Sequence, residues 1–221
     1  MGRIAGVRNA DYEQTRQELI GKVRARLERQ DGRMPSFREL ALACGVSVAT
    51  LRHYFIDRQR LLEAVFSHYL KGAGHHLARA RQADEQALAD SLRAFLQRVV
   101  QGWTQGHVGS LHRIGLSEGL RDQTTALHYL QDVLEPTLQA LEARLETYRS
   151  QHRVRADIDT RHAALALLAP IVLALLHQVD LGGTRCRPLD IRALIELHVA
   201  MFVRAFGVKS DPIPANAAAE Y

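Results

Sequence analysis

Two cysteines, Cys44 and Cys186, are too few and too far apart in sequence for a disulfide framework, so a reducing compartment fits. The segment MGRIAGVRNADYEQ has no apolar core of the kind a signal peptide carries. The longest apolar run, 163–176, is 14 residues. That is short of the roughly 18 residues that suggest a membrane span, and a buried helix is expected there. No stretch alternates apolar and polar residues with β-branched side chains, so strands are not expected. GxxxxGK[ST], GxGxxG and HExxH are absent, and no nucleophile elbow appears. The eleven histidines do not supply a metal site either. His75 and His76 are adjacent and point to different helix faces, and His107 and His112 are five apart rather than four. No metal, no cofactor and no enzymatic activity is expected.

What the chain does have is a long series of helical patterns and one segment of concentrated signals. Residues 36–58 read SFRELALACGVSVATLRHYFIDR. Ser36 is placed to N-cap a short helix, with Glu39 three residues on completing a capping box. Leu40, Ala41 and Cys44 form an apolar seam. Gly45 stands where a positive φ ends one helix and turns the chain into the next. Ser47 is placed to cap the second helix, which carries Val48, Leu51 and Phe55 on one side. Thr50, Arg52, His53 and Tyr54 fall mostly on the other side, with donors for phosphates and base edges. Two short helices joined by a tight turn suit a helix-turn-helix DNA reader. An ordinary helical hairpin within an all-helical core has the same pattern.

Charge separates the two readings. Residues 1–60 hold 12 Lys and Arg against 7 Asp and Glu, whereas residues 61–221 hold 17 of each. The net charge of +5 therefore lies wholly in the segment with the hairpin, as a polyanion binder requires.

The rest reads as helices. One begins after Asp57 and passes Gly72 and Gly74. The next spans about 84–104, with Leu88, Leu92, Phe95, Leu96, Val99 and Trp103 at helical spacing. Five glycines (Gly102, Gly106, Gly109, Gly115 and Gly119) then predict a short, adaptable helix preceded by a loop. A helix over 124–150 contains Pro136, and another over 162–181 contains Pro170 and stops at Gly182 and Gly183. The last helix opens at Pro188 or Asp190 and stops at Gly207. The tail 208–221 reads as disordered, and residues 1–10 as a loose arm. Interruptions at Pro136, Pro170 and the glycines leave room for a cavity. Phe95, Trp103, His112, Tyr129 and His177 are its candidate lining, suited to a small, mainly apolar ligand.

The hairpin and its flanks resemble the TetR family of transcriptional regulators over about residues 15–65. An amphipathic helix, TRQELIGKVRARLERQDG, leads into SFRELALACGV, which is similar to the family's T-x-R-E-I-A-x-x-A-G-V. SVATLRHYF resembles S-x-x-T-L-Y-x-H-F, and IDRQRLLEAVF resembles x-x-K-E-x-L-L-x-A-V. Arg52 departs from the family's aromatic residue after Thr-Leu, and Arg58 from its Lys. Residues 66–221 match only in length and helical pattern.

The resemblance implies an all-α fold. A helix-turn-helix DNA-binding domain would occupy 1–60 and a helical ligand-binding and dimerisation domain 61–207. It implies that Val48, Ala49 and Arg52 face bases, that Arg38 reaches a base or a phosphate, that Thr50, His53, Tyr54 and Arg58 grip phosphates, and that Ser47, the cap of the second helix, also belongs to the DNA-binding surface. Leu40, Ala41, Val46, Leu51 and Phe55 would be hairpin core. Arg52 is expected either to read guanine or to hold a phosphate. Arg3 and Arg8 would lie in the arm, with a minor-groove contact or a solvated tail as the two readings. The last two helices, through Leu168, Leu175, Leu194, His198 and Phe202, would pair with their copies in a homodimer. The expected function is a cytoplasmic, non-membrane repressor, released from palindromic double-stranded DNA by a small-molecule effector. The helix from Asp57 would be the lever between the two sites. The alternatives are an activator, a DNA binder without a ligand, and an all-α enzyme or scaffold with an incidental hairpin.

Overall fold

The computed structural model describes residues 5–29, 34–83, 86–106 and 108–208. Among these residues there are ten α-helices and no strand, only an isolated bridge between Val154 and Gly207. Helix α1 is Ala5–Leu27, α2 Phe37–Cys44, α3 Val48–Phe55, α4 Arg58–Arg81 and α5 Leu88–Thr104. Helix α6 is Val108–Gly119, α7 Gln123–Tyr129, α8 Glu135–Ser150, α9 Thr160–Leu175 and α10 Ile191–Phe206. The all-α expectation holds.

The helix starts follow local chemistry. Asp122, Asp159 and Asp190 each accept backbone N–H groups of the first turn they precede, which satisfies donors that have no helical partner. Asp57 does the same for α4, accepting from the Arg60 N–H at 2.9 Å. The two prolines do not break the chain's helical course. A π-helical turn, Leu130–Leu134, precedes Pro136. Pro136 then sits in the first turn of α8, where its missing N–H leaves no bond unmade. Pro170 lies inside α9, which continues as a π-helical turn, Leu176–Asp180.

Several starts and ends differ from expectation. Helix α1 begins at Ala5, so residues 5–10 are helical rather than a loose arm. Helix α5 begins at Leu88, after Ala87, which makes no side-chain cap. Arg3, the side chain of Arg8, Asp84, His107 and the tail beyond Val208 lie outside the described residues. The segment Thr160–Asp180 is, among the described residues, the one helical run long and apolar enough to cross a membrane. The unbroken apolar run ends at Leu176, and the helical course continues to Asp180. One face of that segment is core all the same, since Leu167, Leu168, Ile171 and Leu175 are buried.

The chain forms two compact units. The first comprises residues 1–72 and 114–133, and the second 73–113 and 134–221. A single cut at 60/61 is therefore not what the fold makes. The second half of α6, with α7, returns to the first unit because it packs there. Gly115 lies against the Tyr129 ring, where a Cβ would meet Cδ2 at 2.0 Å, and Tyr129 in turn meets Phe66 at 6.2 Å between ring centres. Leu19, Ile20, Val23, Leu40, Leu51, Leu61, Val65 and Phe66 are buried within this unit. Each such side chain contributes about 1.5–3 kcal/mol on burial.

The second unit is built on Leu92, Phe95, Leu96, Leu141, Leu145, Tyr148, Leu167 and Phe202. Within it Arg144, only 1% exposed, donates to the carbonyls of Ala80 (2.8 Å) and Arg79 (3.3 Å) and to the Ser91 hydroxyl. It thereby caps the C-terminus of α4, where unpaired carbonyls and the helix dipole favour a cation.

Candidate nucleic-acid interface

The hairpin is fixed at every joint by short-range bonds. The Glu39 N–H donates to Ser36 Oγ at 3.3 Å, and the Ser36 N–H donates to Glu39 Oε2 at 2.7 Å, a complete capping box. Gly45 ends α2 with φ +72°. The Gly45 N–H reaches the Leu42 carbonyl and the Val46 N–H reaches the Ala41 carbonyl, the paired closure of a left-handed helix stop. Lys22 Nζ donates to the Cys44 carbonyl at 3.3 Å, adding a cation at the same helix end. The Thr50 N–H donates to Ser47 Oγ at 2.9 Å, starting α3. Cys44 is buried, and that burial pushes its thiol pKa up, so it is a packing residue rather than a reactive one.

Helix α3 buries Leu51 and Phe55 and leaves Ala49, Thr50, Arg52 and His53 exposed; Val48 and Tyr54 are half-buried. Leu40, Ala41, Leu51 and Phe55 form the buried hairpin core, whereas Val46 is half-buried. Arg38 on α2 is exposed, as is Ser47. Neither Arg38 nor Arg52 makes an ion pair among the described residues, so both guanidinium groups lie on the surface beside the exposed polar side chains of α3.

Arg58, expected on a phosphate, is held within the protein: its guanidinium pairs with the Glu118 carboxylate, and its Nε donates to the Pro35 carbonyl at 3.3 Å. The reason is a charge partner sixty residues along the chain, brought to α4 by the end of α6. The turn that separates α3 from α4 was also not foreseen. Ile56 has φ +64° and ψ −61°, and the Asp57 N–H donates back to the Phe55 carbonyl at 2.6 Å. This is the rare, strained form of γ-turn, at a β-branched residue that disfavours positive φ. Strain of this kind is of order 1–3 kcal/mol and collects at functional sites.

A cleft of about 390 Å³ lies in the same unit, lined by Arg16, Tyr54, Arg60, Glu63, His68 and His128 among others. Some of its polar groups pair with one another, whereas the buried Glu63 Oε1 makes no hydrogen bond among the described residues and has His128 Nε2 at 3.6 Å. His68 Nδ1 and Gln17 Oε1 are 3.0 Å apart, and Arg60 NH1 and Glu63 Oε2 are 2.9 Å apart. Burial, with Arg24 and Lys71 nearby, lowers the His68 pKa.

The residues expected around a ligand are not gathered into that cleft. Phe95, Trp103 and His112 are buried in the second unit, Tyr129 is buried in the first, and His177 is exposed. Trp103 stacks on His112 at 4.6 Å between ring centres, nearly parallel, and donates from Nε1 to Asp180 Oδ2 at 2.9 Å. Arg113 pairs with Asp180 at 3.1 Å. A Cβ on Gly109 would meet Trp103 Nε1 at 2.5 Å. Gly109 and Gly115 therefore serve close approach, not the looseness their number suggested. Desolvation lowers the His112 pKa to about 4 and raises that of Asp180.

The residues expected at a dimer interface lie on α9 and α10. Leu168, Leu175 and Phe202 are buried in the second unit's own core. Leu194 and His198 are half-buried, and His198 Nε2 lies 3.0 Å from the Leu167 carbonyl. The exposed apolar positions are Leu165 and Leu173 on α9, with Leu197 and Met201 on α10. These helices are therefore apolar on two faces, one in the core and one exposed. Among the described residues no group of three or more His, Cys, Asp or Glu is placed to hold a metal ion.

No family model and no curated protein matches the chain. Solved structures do. A candidate TetR-family transcriptional regulator from Mesorhizobium loti superposes with a TM-score of 0.71 at 16% identity, over 89% of this chain and 98% of that one. The flavonoid-responsive regulator FrrA gives 0.63 at 22% identity, over 90% and 100%. SmeT, the repressor of the Stenotrophomonas maltophilia multidrug efflux pump SmeDEF, gives 0.62 at 17% identity, over 90% and 94%, and is also solved in complex with triclosan. From the capped hairpin at its start to the paired apolar helices at its end, the chain has the fold of the TetR family of transcriptional regulators.

Proposed function

We propose that this chain is a TetR-family regulator of transcription, a DNA-binding protein and not an enzyme. The observation that carries the reading is α3: a rigidly capped helix with Ala49, Thr50, Arg52 and His53 exposed on one face, within residues 1–60, the segment that holds all the net positive charge. Val48, Ala49 and Arg52 contact base edges in the major groove. Arg38, Ser47, Thr50, His53 and Tyr54 hold the phosphates on either side. Two copies, joined through Leu165, Leu173, Leu197 and Met201, place their α3 helices one turn of DNA apart on a palindromic operator, roughly 34–36 Å. The protein acts in the cytoplasm.

The regulator represses, and a small, mainly apolar effector releases it. SmeT is a repressor solved with triclosan and FrrA is flavonoid-responsive, which supports this reading by analogy of fold. Helix α4 contributes residues to both compact units, as a lever between operator and effector must. The close packing of Trp103 on His112 and Gly109 favours a second reading, in which the dimer binds DNA with a filled core and no effector. A thermal-shift screen without hits would select it.

The test is selection of genomic DNA fragments by the purified protein at about 150 mM salt, where non-specific phosphate binding is strongly screened. Enrichment of a two-fold symmetric sequence supports the regulator. Uniform, salt-labile binding, or none, removes it.

A further inference from the structure

Tyr12, on α1, belongs to no motif, and the residue is 38% exposed. It nevertheless stacks on Tyr54 at 4.7 Å between ring centres, with 26° between planes, and meets His53 edge-on at 5.8 Å. His53 and Tyr54 themselves meet edge-on at 5.2 Å. The three rings form a closed aromatic triad on the first unit. It joins α1 to the C-terminal end of α3, just before the strained turn at Ile56.

The triad is poorly placed to hold the fold together. Helix α1 is anchored by Leu19, Ile20 and Val23, which are buried. None of the three aromatic residues is fully buried. What the contact does control is side-chain freedom. Tyr12 confines the χ angles of two neighbouring α3 residues that would otherwise rotate in solvent, and ring pairs in offset or edge geometry favour this arrangement. A surface whose polar tips are already placed loses less entropy on binding a rigid partner.

We infer that Tyr12 is a positioning residue of the DNA-reading surface, holding His53 and Tyr54 ready for the backbone phosphates. The inference rests on the assignment of α3 as the DNA-contacting helix.

The test uses the full-length protein and a fragment that the wild type selects. Tyr12→Ala is expected to weaken binding about three- to tenfold, the range for losing one or two pre-placed side chains. Its thermal midpoint and the slope of log affinity against log salt stay at the wild-type values, because no phosphate contact is removed. Tyr12→Phe, which keeps the ring, restores affinity. In a His53→Ala, Tyr54→Ala background, Tyr12→Ala has no further effect. Wild-type affinity in Tyr12→Ala would overturn the inference, as would a loss undiminished in that background. Equal losses in Tyr12→Phe and Tyr12→Ala would make the hydroxyl a direct contact and overturn the positioning role. A wild type that selects no fragment would instead overturn the DNA-reading assignment, and the inference with it.

Discussion

The guanidinium of Arg58, at the first residue of α4, is paired with the carboxylate of Glu118, next to the last residue of α6. Both lie in the first compact unit. Glu118 is buried, and among the described residues its Oε1 makes no hydrogen bond and has only Arg121 NH1 at 3.8 Å, so Arg58 is the main compensation for a charge held away from water. A positive group close after α3 in the chain is thus neutralised inside the protein.

Glu118→Gln keeps the volume and removes the charge. Stability is expected to fall by about 1–3 kcal/mol, from the lost charge-assisted bond. Arg58, released, becomes available to DNA, and the salt slope of DNA binding steepens by about one. Chemical denaturation and a salt titration check the two effects. An unchanged slope would mean that Arg58 cannot reach a phosphate.

Gly115→Ala inserts a methyl group 2.0 Å from Tyr129 Cδ2. Overpacking of this kind costs about 1–3 kcal/mol. Adding Tyr129→Ala opens the space, so Gly115→Ala is expected to be close to neutral in that background. Equal destabilisation in both backgrounds, read by denaturant midpoint, would contradict the packing role assigned to this glycine.

His112 supplies an acid sensitivity. Its folded pKa is lowered by burial from 6.5 to about 4. Between those values the unfolded chain takes up a proton and the folded one does not. Stability therefore falls as pH drops through that window, by up to about 3 kcal/mol from this group. His112→Phe keeps a ring against Trp103 and has no proton to take up. Its stability should lack this part of the decline between pH 6.5 and 4, whatever its value at pH 7. Parallel pH profiles for the two proteins would contradict the assignment.

The outer and inner faces of the last two helices should behave differently. Leu173 is 68% exposed, whereas Leu175, two residues on, is fully buried. Leu173→Glu combined with Leu197→Glu is expected to yield folded monomers, weakening association by at least about 2 kcal/mol, or thirtyfold. Leu175→Glu is expected to unfold the chain, because it buries an unpaired charge. Sedimentation with circular dichroism separates these outcomes. Dimers that survive the double Glu variant would move the interface elsewhere.

What the sequence revealed was mostly local. The box of Ser36 with Glu39, the stop at Gly45 and the caps at Ser47, Asp57, Asp159 and Asp190 all act within three or four residues, so residue type and spacing suffice. The exposed face of α3 follows from helical period in the same way. The rest depends on partners distant in sequence. Glu118 lies sixty residues from Arg58, Tyr12 over forty from Tyr54, and the return of α6 and α7 to the first unit moves a boundary that composition placed at 60. Which apolar residues of the last two helices face outward was also not legible, because Leu165 and Leu168 are equally apolar and only packing distinguishes the exposed residue from the buried one.

The central claim is that α3 lies in the major groove of DNA in two symmetric copies. The most direct measurement tethers an iron chelate to Ala49→Cys, in a Cys186→Ser background, and maps strand cleavage on a selected fragment. Cys44 is buried with a raised thiol pKa, so labelling is confined to the new site. Two cleavage patches centred about 10 base pairs apart are predicted, the spacing of half-sites one helical turn apart. Cleavage scattered along the fragment, or none above the untethered chelate, would contradict the claim.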